Sequence, residues 1–346
     1  MTNLKLVDSS TFGIRCGIVL SAGNGTRLRE FVHQHRGDDL PKQYVNFVGS
    51  RSMLEHTYDR AQRSIPARNL FTVVAKEHLK FPEVRRQLAS NPQGTVVVQP
   101  ANKETAPGVL LPLLHIYKRY PEAVVAVFPS DHFVLEKDRF MRHVDDAFRL
   151  VDRDASRLVL LGLDPHGPDT EYGYIVPGDK INAAESESAR RVELFVEKPS
   201  LEAAKKIIAN GALWNTMVMV FACRTLVSVI QRAAPELDRS FQPVLAAIGT
   251  SDEERVIKEV YQGLRPVNLS KGVLEVLPFE HRRGLVVLPV NGVTWSDWGT
   301  GERLSKTLRQ LGTLNTRPEP SLSEGDALRV SVAKTAYGSI ASNDVQ

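Results

Sequence analysis

Five short runs rich in β-branched and aliphatic residues recur through the first half of the sequence: CGIVLSA (16–22), LFTVVA (70–75), TVVVQ (95–99), AVVAVF (123–128) and LVLLGL (158–163). They are continuous rather than alternating, the pattern of strands covered on both faces. Between them lie segments with helical spacing. Leu54, Tyr58, Ala61 and Ile65 share one face of 53–65, and APGVLLPLLHIYKRY (106–120) and the set Phe140, Val144, Ala147, Phe148, Val151 behave alike. Strands alternating with helices predict an α/β chain built on a mostly parallel sheet.

After about residue 164 the rhythm loosens. DPHGPDTEYGYIVPGDK reads as loop, RVELFVEKP (191–199) as a strand with a stop, and LEAAKKIIANG as a helix closed by glycine. MVMVFA (217–222) is another buried strand, 265–298 reads as short strands and turns, and GERLSKTLRQLG as a final helix. From 314 onward Pro, Ser, Glu and Gly dominate, which predicts a mobile tail.

Over 346 residues the net charge is +4, with 42% hydrophobic and 24% charged residues. That balance is ordinary for a globular protein. So dilute a positive charge does not argue for nucleic acid and suits a small polyanionic substrate equally well. Cys16 and Cys223 sit in apolar runs and read as buried hydrophobes, not as a disulfide or metal ligands. The opening MTNLKLVDSSTFGIR has no apolar core of signal-peptide type, and no stretch reaches bilayer length. A cytoplasmic location without membrane or nucleic-acid partners is the expectation.

The first run stops at two glycines and resumes with an arginine: VLSAGNGTRL (19–28). GNGTRL superficially matches a dinucleotide fingerprint, but its sixth position is Leu28 and no acidic residue closes a second strand at the required distance. The Gly-Lys-Ser/Thr phosphate loop is also absent. A different cradle fits these residues. Gly23 and Gly25 free backbone N–H groups to face phosphate oxygens, while Thr26 and Arg27 add a hydroxyl and a bidentate cation. LPKQY (40–44) comes next with a proline-fixed Lys42. A tight strand-to-helix turn beside a surface arginine is the plainer alternative.

Asp131 ends AVVAVFPSD, at the strand end where α/β sheets open their ligand crevice; capping a turn is the alternative. Asp297, in WSDWG, is a carboxylate from a distant segment whose role its own surroundings leave open. Lys198 precedes Pro199 and is expected to be extended; a solvated Glu197–Lys198 pair is the plain reading of those two charges.

VLSAGNGTRL with LPKQY resembles the signature of sugar-1-phosphate nucleotidyltransferases, and most closely that of the mannose-1-phosphate guanylyltransferases. VQPANKETAP (98–107), FPSDHFV (128–134), EYGYI (171–175), FVEKP (195–199), LWNTMVMVF (213–221) and WSDWG (295–299) stand in family order, so the resemblance runs from about residue 16 to 310. It implies a Rossmann-like, mostly parallel sheet of the nucleotide-diphospho-sugar transferase type with a small C-terminal β-rich and helical extension. The expected division is a catalytic domain over 1–265, a small region over 266–313 and a tail over 314–346. The chain ends soon after the late aspartate motif, so no isomerase domain and at most an abbreviated β-helical cap are expected.

The activity the resemblance implies is nucleotidyl transfer from a nucleoside triphosphate, GTP, to a sugar-1-phosphate, mannose-1-phosphate, with Mg²⁺ on Asp131 and Asp297. The triphosphate would lie against Ser21, Ala22, Gly23, Gly25, Thr26, Arg27 and Lys42, and the base against Gln99, Thr105 and Ala106. Gly173, Tyr174, Glu197, Lys198 and Asn215 would take the sugar phosphate. Arg27, Lys42, Asp131, Lys198 and Asp297 would form the catalytic set. His132 reads as structural, because an ionised phosphate nucleophile needs no general base. A homodimer is compatible with the family. Ala22, Lys103-Glu104, Met217 and Ser270 depart from the family pattern and bear on specificity more than on reaction class. Another sugar and base, or a nucleotide-sugar-binding protein without turnover, stay open.

Overall fold

The continuous apolar runs become interior strands because each must satisfy a core on either side. In the computed structural model, residues 13–182, 186–277 and 284–312 are described; the tail expected over 314–346 and the opening residues 1–12 lie outside them. The strands are β1 (Arg15–Ser21), β2 (Leu70–Ala75), β3 (Thr95–Gln99), β4 (Val124–Pro129), β5 (Phe133–Val134), β6 (Leu158–Leu163), β7 (Gly173–Lys180), β8 (Arg190–Glu197), β9 (Leu213–Ala222), β10 (Leu285–Val290) and β11 (Trp295–Ser296). The helices are α1 (Arg29–Arg36), α2 (Met53–Ala61), α3 (Pro82–Leu88), α4 (Thr105–Arg119), α5 (Lys137–Arg153), α6 (Leu201–Ala209), α7 (Cys223–Ala233), α8 (Pro235–Ala247), α9 (Glu253–Gly263) and α10 (Gly301–Gln310).

Nine strands form one sheet in the order β3-β2-β1-β4-β9-β6-β10-β8-β7. The first four are mutually parallel. Strand β9 runs antiparallel between β4 and β6, β10 lies parallel beside β6, and β7 and β8 close the sheet as an antiparallel hairpin. The segment 266–313, set apart in the sequence, thus contributes β10 to the interior of the main sheet.

Strand residues alternate between two cores. Val124, Ala126 and Phe128 of β4 join the core under α2 and α5, whereas Val125 and Val127 join the one under α4, α7, α8 and α9. This double burial is why the runs carry no polar alternation. Phe140, Val144, Ala147, Phe148 and Val151 of α5 are all buried, as their spacing predicts. Ser52 starts α2 through a capping box with Glu55. Cys16 and Cys223 are buried and free, and burial pushes both thiols up to about 12. No helix among the described residues is long and apolar enough to cross a membrane.

One sequence expectation changes. The stretch read as loop before residue 180 contains β7, whose pairing with β8 shifts register on either side of Pro177. A proline is tolerated there because the shifts remove its ladder obligation.

The small β5–β11 ladder does most to assemble the cleft. Ser296 pairs with Phe133 and Trp295 with Val134. Antiparallel continuation sets Asp297 beside His132 and Asp131, so two carboxylates far apart in sequence reach one end of the sheet.

Candidate active site

The turn after β1 is pinned by the residues of LPKQY. Gln43 Nε2 donates to the Ser21 carbonyl at 3.0 Å and to the Gly23 carbonyl at 2.8 Å, and the Tyr44 hydroxyl donates to Ser21 at 2.8 Å. Gly25 is left-handed at φ +58, and a Cβ there would sit 3.2 Å from Lys42 Cγ. The glycine therefore serves both the turn and the close passage of Lys42. Gly23 answers differently: no atom lies within 4 Å of the Cβ it lacks. Its backbone borders a cleft of about 350 Å³ lined by Ala22, Gly23, Gly25, Thr26, Arg27, Lys42, Gln99, Thr105 and Asp131, among others. Ser21 is buried behind this wall and touches the loop through its carbonyl.

Lys42 is the hub. Its side chain is 7% exposed, and Nζ lies 2.9 Å from Asp131 Oδ2, 2.9 Å from the Asp297 carbonyl and 3.3 Å from the Trp298 carbonyl. Burial works against the charged form of Asp131, but the Lys42 ammonium and His132 hold its carboxyl below the usual range. Burial opposes Asp297 as well, and there Arg303, His132 and Lys42 outweigh it. Asp297 Oδ1 accepts from the Tyr172 hydroxyl at 3.0 Å, the Gly299 N–H at 2.9 Å and Arg303 Nη1 at 2.9 Å. Burial pushes the His132 imidazole down against the pull of the two aspartates, and its ring lies edge-on to Trp295.

A second cluster gathers at the ends of β7, β8 and β9. A Cβ on Gly173 would meet Glu197 Oε2 at 2.5 Å and Asn215 Cβ at 3.5 Å, so those three positions converge. Tyr174, expected beside them, turns away. It is fully buried, and its hydroxyl donates to the Asp169 carbonyl and accepts the Asp169 N–H. Asn215 Oδ1 accepts the Met217 N–H at 3.0 Å, and the amide faces the Met217 sulfur. Lys198 is not extended. It sits at φ +51 with its N–H donating to the Tyr172 carbonyl at 3.1 Å, a tertiary bond that overrides the bias imposed by Pro199. Among the described residues the other non-glycine positive-φ positions are Glu104, Met217 and Trp298. All four border this region, where strain of roughly 1–3 kcal/mol each persists only if packing enforces it.

At the far end of the cleft, Gln99 is buried with its Oε1 unpartnered, and Asn102, Glu104, Thr105 and Gly108 complete the wall. Ala106, expected in this wall, is fully buried in the core below α4, and its N–H donates to the Val267 carbonyl. The helix period explains this: the residue after Thr105 points a third of a turn away. Arg303 belongs to none of the motifs, although a basic residue in the first turn of α10 opposes the helix dipole and so signals another task.

Glu197 makes a test of burial. Desolvation pushes its carboxyl up, with Lys198 and a hydrogen bond from Ser270 opposing less strongly. The folded value thus lies above the unfolded one, so stability falls as pH rises from about 4.3 through the folded value. The Glu197→Gln variant is expected to melt higher than the parent at pH 7–8, with the gap closing in acid. A thermal melt series from pH 4 to 8 reads this; an unchanged gap across the series contradicts it.

The chain's likeness to known proteins agrees with this arrangement. The nucleotidyl transferase family matches residues 16–312. A mannose-1-phosphate guanylyltransferase of Salmonella montevideo is 28% identical over 291 residues, 83% of this chain and 58% of that protein. The xanthan biosynthesis protein XanB of Xanthomonas campestris is 29% identical over 329 residues, 93% of this chain and 64% of that protein. The chain spans less than two thirds of either relative's length. Among solved structures, mannose-1-phosphate geranyltransferase from Thermus thermophilus has a TM-score of 0.68 at 28% identity, over 82% of this chain and 76% of that one. With the match running through the glycine turn, both aspartates and the sheet that carries them, the chain belongs to the nucleotidyl transferase family.

Proposed function

We propose that this protein transfers a nucleotidyl group from GTP to mannose-1-phosphate, giving GDP-mannose and pyrophosphate. The observation that carries this reading is that the pinned glycine turn, Arg27, Lys42 and the ionised Asp131 line one cleft, with Asp297 tied to it through Lys42. Basic side chains and free backbone face the cleft on one side, as a triphosphate requires.

The reaction is an in-line displacement. An oxygen of the sugar-1-phosphate attacks the α-phosphorus, a new P–O bond forms, and the bond to the β-phosphate oxygen breaks with its electron pair leaving on pyrophosphate. Positioning and charge neutralisation carry such a step, since the nucleophile is already ionised. Lys198 holds the sugar phosphate, Arg27 and Lys42 offset charge on the departing pyrophosphate, and neutral His132 takes no proton. Glu197 accepts from sugar hydroxyls, Gly173 leaves room for the Glu197 carboxylate, and Asn215 lies alongside.

The residues fit a Mg²⁺ ion. Asp131 and Asp297 are two carboxylates held ionised at the same end of the sheet, Asp131 by Lys42 and Asp297 by Arg303. Mg²⁺ prefers such a partial set and keeps its other positions for water and phosphate oxygens. When bound, it would neutralise phosphoryl charge.

Glu104 favours guanine. It lines the same cleft as the glycine turn, as a carboxylate acceptor held at φ +71 with Asn268 donating to one oxygen at 3.4 Å. Guanine presents two donors, N1–H and N2–H, on one edge, whereas adenine presents an acceptor there. The Glu104→Gln variant is expected to lose about 10- to 100-fold in kcat/KM for GTP, the worth of a hydrogen-bond pair to a charged acceptor, and little for ATP. An equal loss for both would remove Glu104 from base reading.

The function is tested by pyrophosphate release with Mg²⁺ across GTP, ATP, UTP, CTP and dTTP, each with mannose-1-phosphate and with glucose-1-phosphate. Release with GTP and mannose-1-phosphate above all other pairs is expected. Release with another pair overturns the substrates, and release with none overturns the activity.

A further inference from the structure

The carboxylate of Glu171 touches both cations that the reaction assigns to phosphate. Glu171 Oε2 lies 2.7 Å from Arg27 Nη1 and 3.7 Å from Lys198 Nζ. Arg27 comes from the turn after β1 and Lys198 from just past the end of β8, 171 residues apart in the chain. One carboxylate oxygen therefore stands between the cation given to the triphosphate and the cation given to the sugar phosphate.

The placement is built. The Glu171 N–H donates to Asp169 Oδ1 at 2.8 Å, and the other oxygen of that carboxylate accepts from Arg303. The Tyr174 hydroxyl holds the Asp169 backbone on both its N–H and its carbonyl. Next along the chain, Tyr172 donates to Asp297, and its ring lies 4.3 Å beneath the Arg303 guanidinium. The 169–172 turn is thus fastened to the Asp297 network on both sides of Glu171, which leaves the Glu171 carboxylate, 43% exposed, against Arg27 and Lys198.

We infer that Glu171 is an internal stand-in for a substrate phosphate: an anion that occupies Arg27 and Lys198 in the empty site, yields them when substrates bind, and reclaims them as pyrophosphate departs. A fixed anion competing with phosphate oxygens weakens the binding of every phosphate that needs those two cations. In return, it screens the two cations from each other once the product has gone. The inference rests on the proposed activity for the roles of Arg27 and Lys198, but its test does not.

Removing the charge while keeping the shape is the experiment. Glu171→Gln leaves a half-exposed side chain of the same size on a loop held by other contacts, so the fold is not at stake. Pyrophosphate and mannose-1-phosphate are titrated separately into parent and variant by calorimetry in Mg²⁺ buffer, with no turnover needed. Each is expected to bind about three- to tenfold tighter to the variant, the scale of losing one or two half-exposed ion-pair competitors. Glu171→Asp, which keeps the charge on a shorter arm, is expected to fall between the two. In turnover, the variant should show stronger product inhibition by pyrophosphate and a lower KM for mannose-1-phosphate with kcat unchanged or reduced. Equal or weaker binding of both ligands by Glu171→Gln overturns the stand-in role. Tighter binding without turnover from any substrate pair upholds it and overturns the proposed activity instead.

Discussion

The Asp131→Asn variant is expected to fold and to lose about three orders of magnitude in kcat/KM, roughly 4 kcal/mol of transition-state stabilisation. Asp131 is placed by the end of β4, and its side chain is 34% exposed on the cleft side, so an isosteric amide disturbs little packing. What it removes is charge. The carboxylate is held ionised against burial by Lys42, an arrangement that maintains a negative group beside a site for polyanions. On the proposed activity, that carboxylate serves the substrate by holding Mg²⁺. The check is a steady-state assay over a range of Mg²⁺ concentrations. The variant should need more Mg²⁺ and fail to recover the parent rate at saturation; full recovery at high Mg²⁺, or no loss at all, would take Asp131 out of the reaction.

The second large effect falls on stability and activity together. Lys42→Met keeps the aliphatic stem and deletes an ammonium that serves the Asp131 carboxylate and the carbonyls of Asp297 and Trp298. Lys42 is buried but Asp131 is a third exposed, so the loss falls below that of a fully buried pair, at about 2–3 kcal/mol. For a chain of this size that corresponds to a Tm lower by roughly 3–6 °C. The loss is structural as well as electrostatic, because Lys42 joins the glycine turn to the segment carrying Asp297. Turnover should fall by at least about 100-fold, since the turn and the late aspartate lose their shared anchor. Differential scanning calorimetry beside the rate assay separates the two effects. A variant with unchanged Tm would show that the three contacts contribute nothing to folding.

Much of this arrangement is legible in the sequence, for definable reasons. The interior strands are legible because each run must feed two cores, which leaves no room for polar alternation; β4 is the clearest case. The glycine turn and LPKQY are legible as a pair because Gln43 and Tyr44 bind the carbonyls of the turn. Position within a motif does not give direction, however. Tyr174 and Ala106 sit next to residues that face the cleft, and the strand and helix periods turn both inward. Lys198 defies a local rule because one tertiary hydrogen bond to Tyr172 outweighs it. Asp169 escapes a motif reading since its contact with Arg303 joins segments 134 residues apart, and Arg303, six residues beyond Asp297, lies just outside the late aspartate motif. The segment 223–263 lies outside the expected elements, yet Leu226, Ile230, Leu237, Phe241, Val244, Ile257 and Tyr261 follow a helical period and cover one face of the sheet. That signal is present in the sequence, in residues apart from every motif of the cleft.

The central claim is displacement at the α-phosphorus by a sugar phosphate, and the fate of a label tests it most directly. The chain is incubated with Mg²⁺, mannose-1-phosphate and GTP carrying radioactive phosphorus in either the α or the γ position. The account predicts that α-label appears in GDP-mannose and γ-label in pyrophosphate, in equal amounts, with neither formed when mannose-1-phosphate is omitted. Label from the α position recovered as free GMP, or γ-label recovered as inorganic phosphate or attached to the sugar, would contradict it.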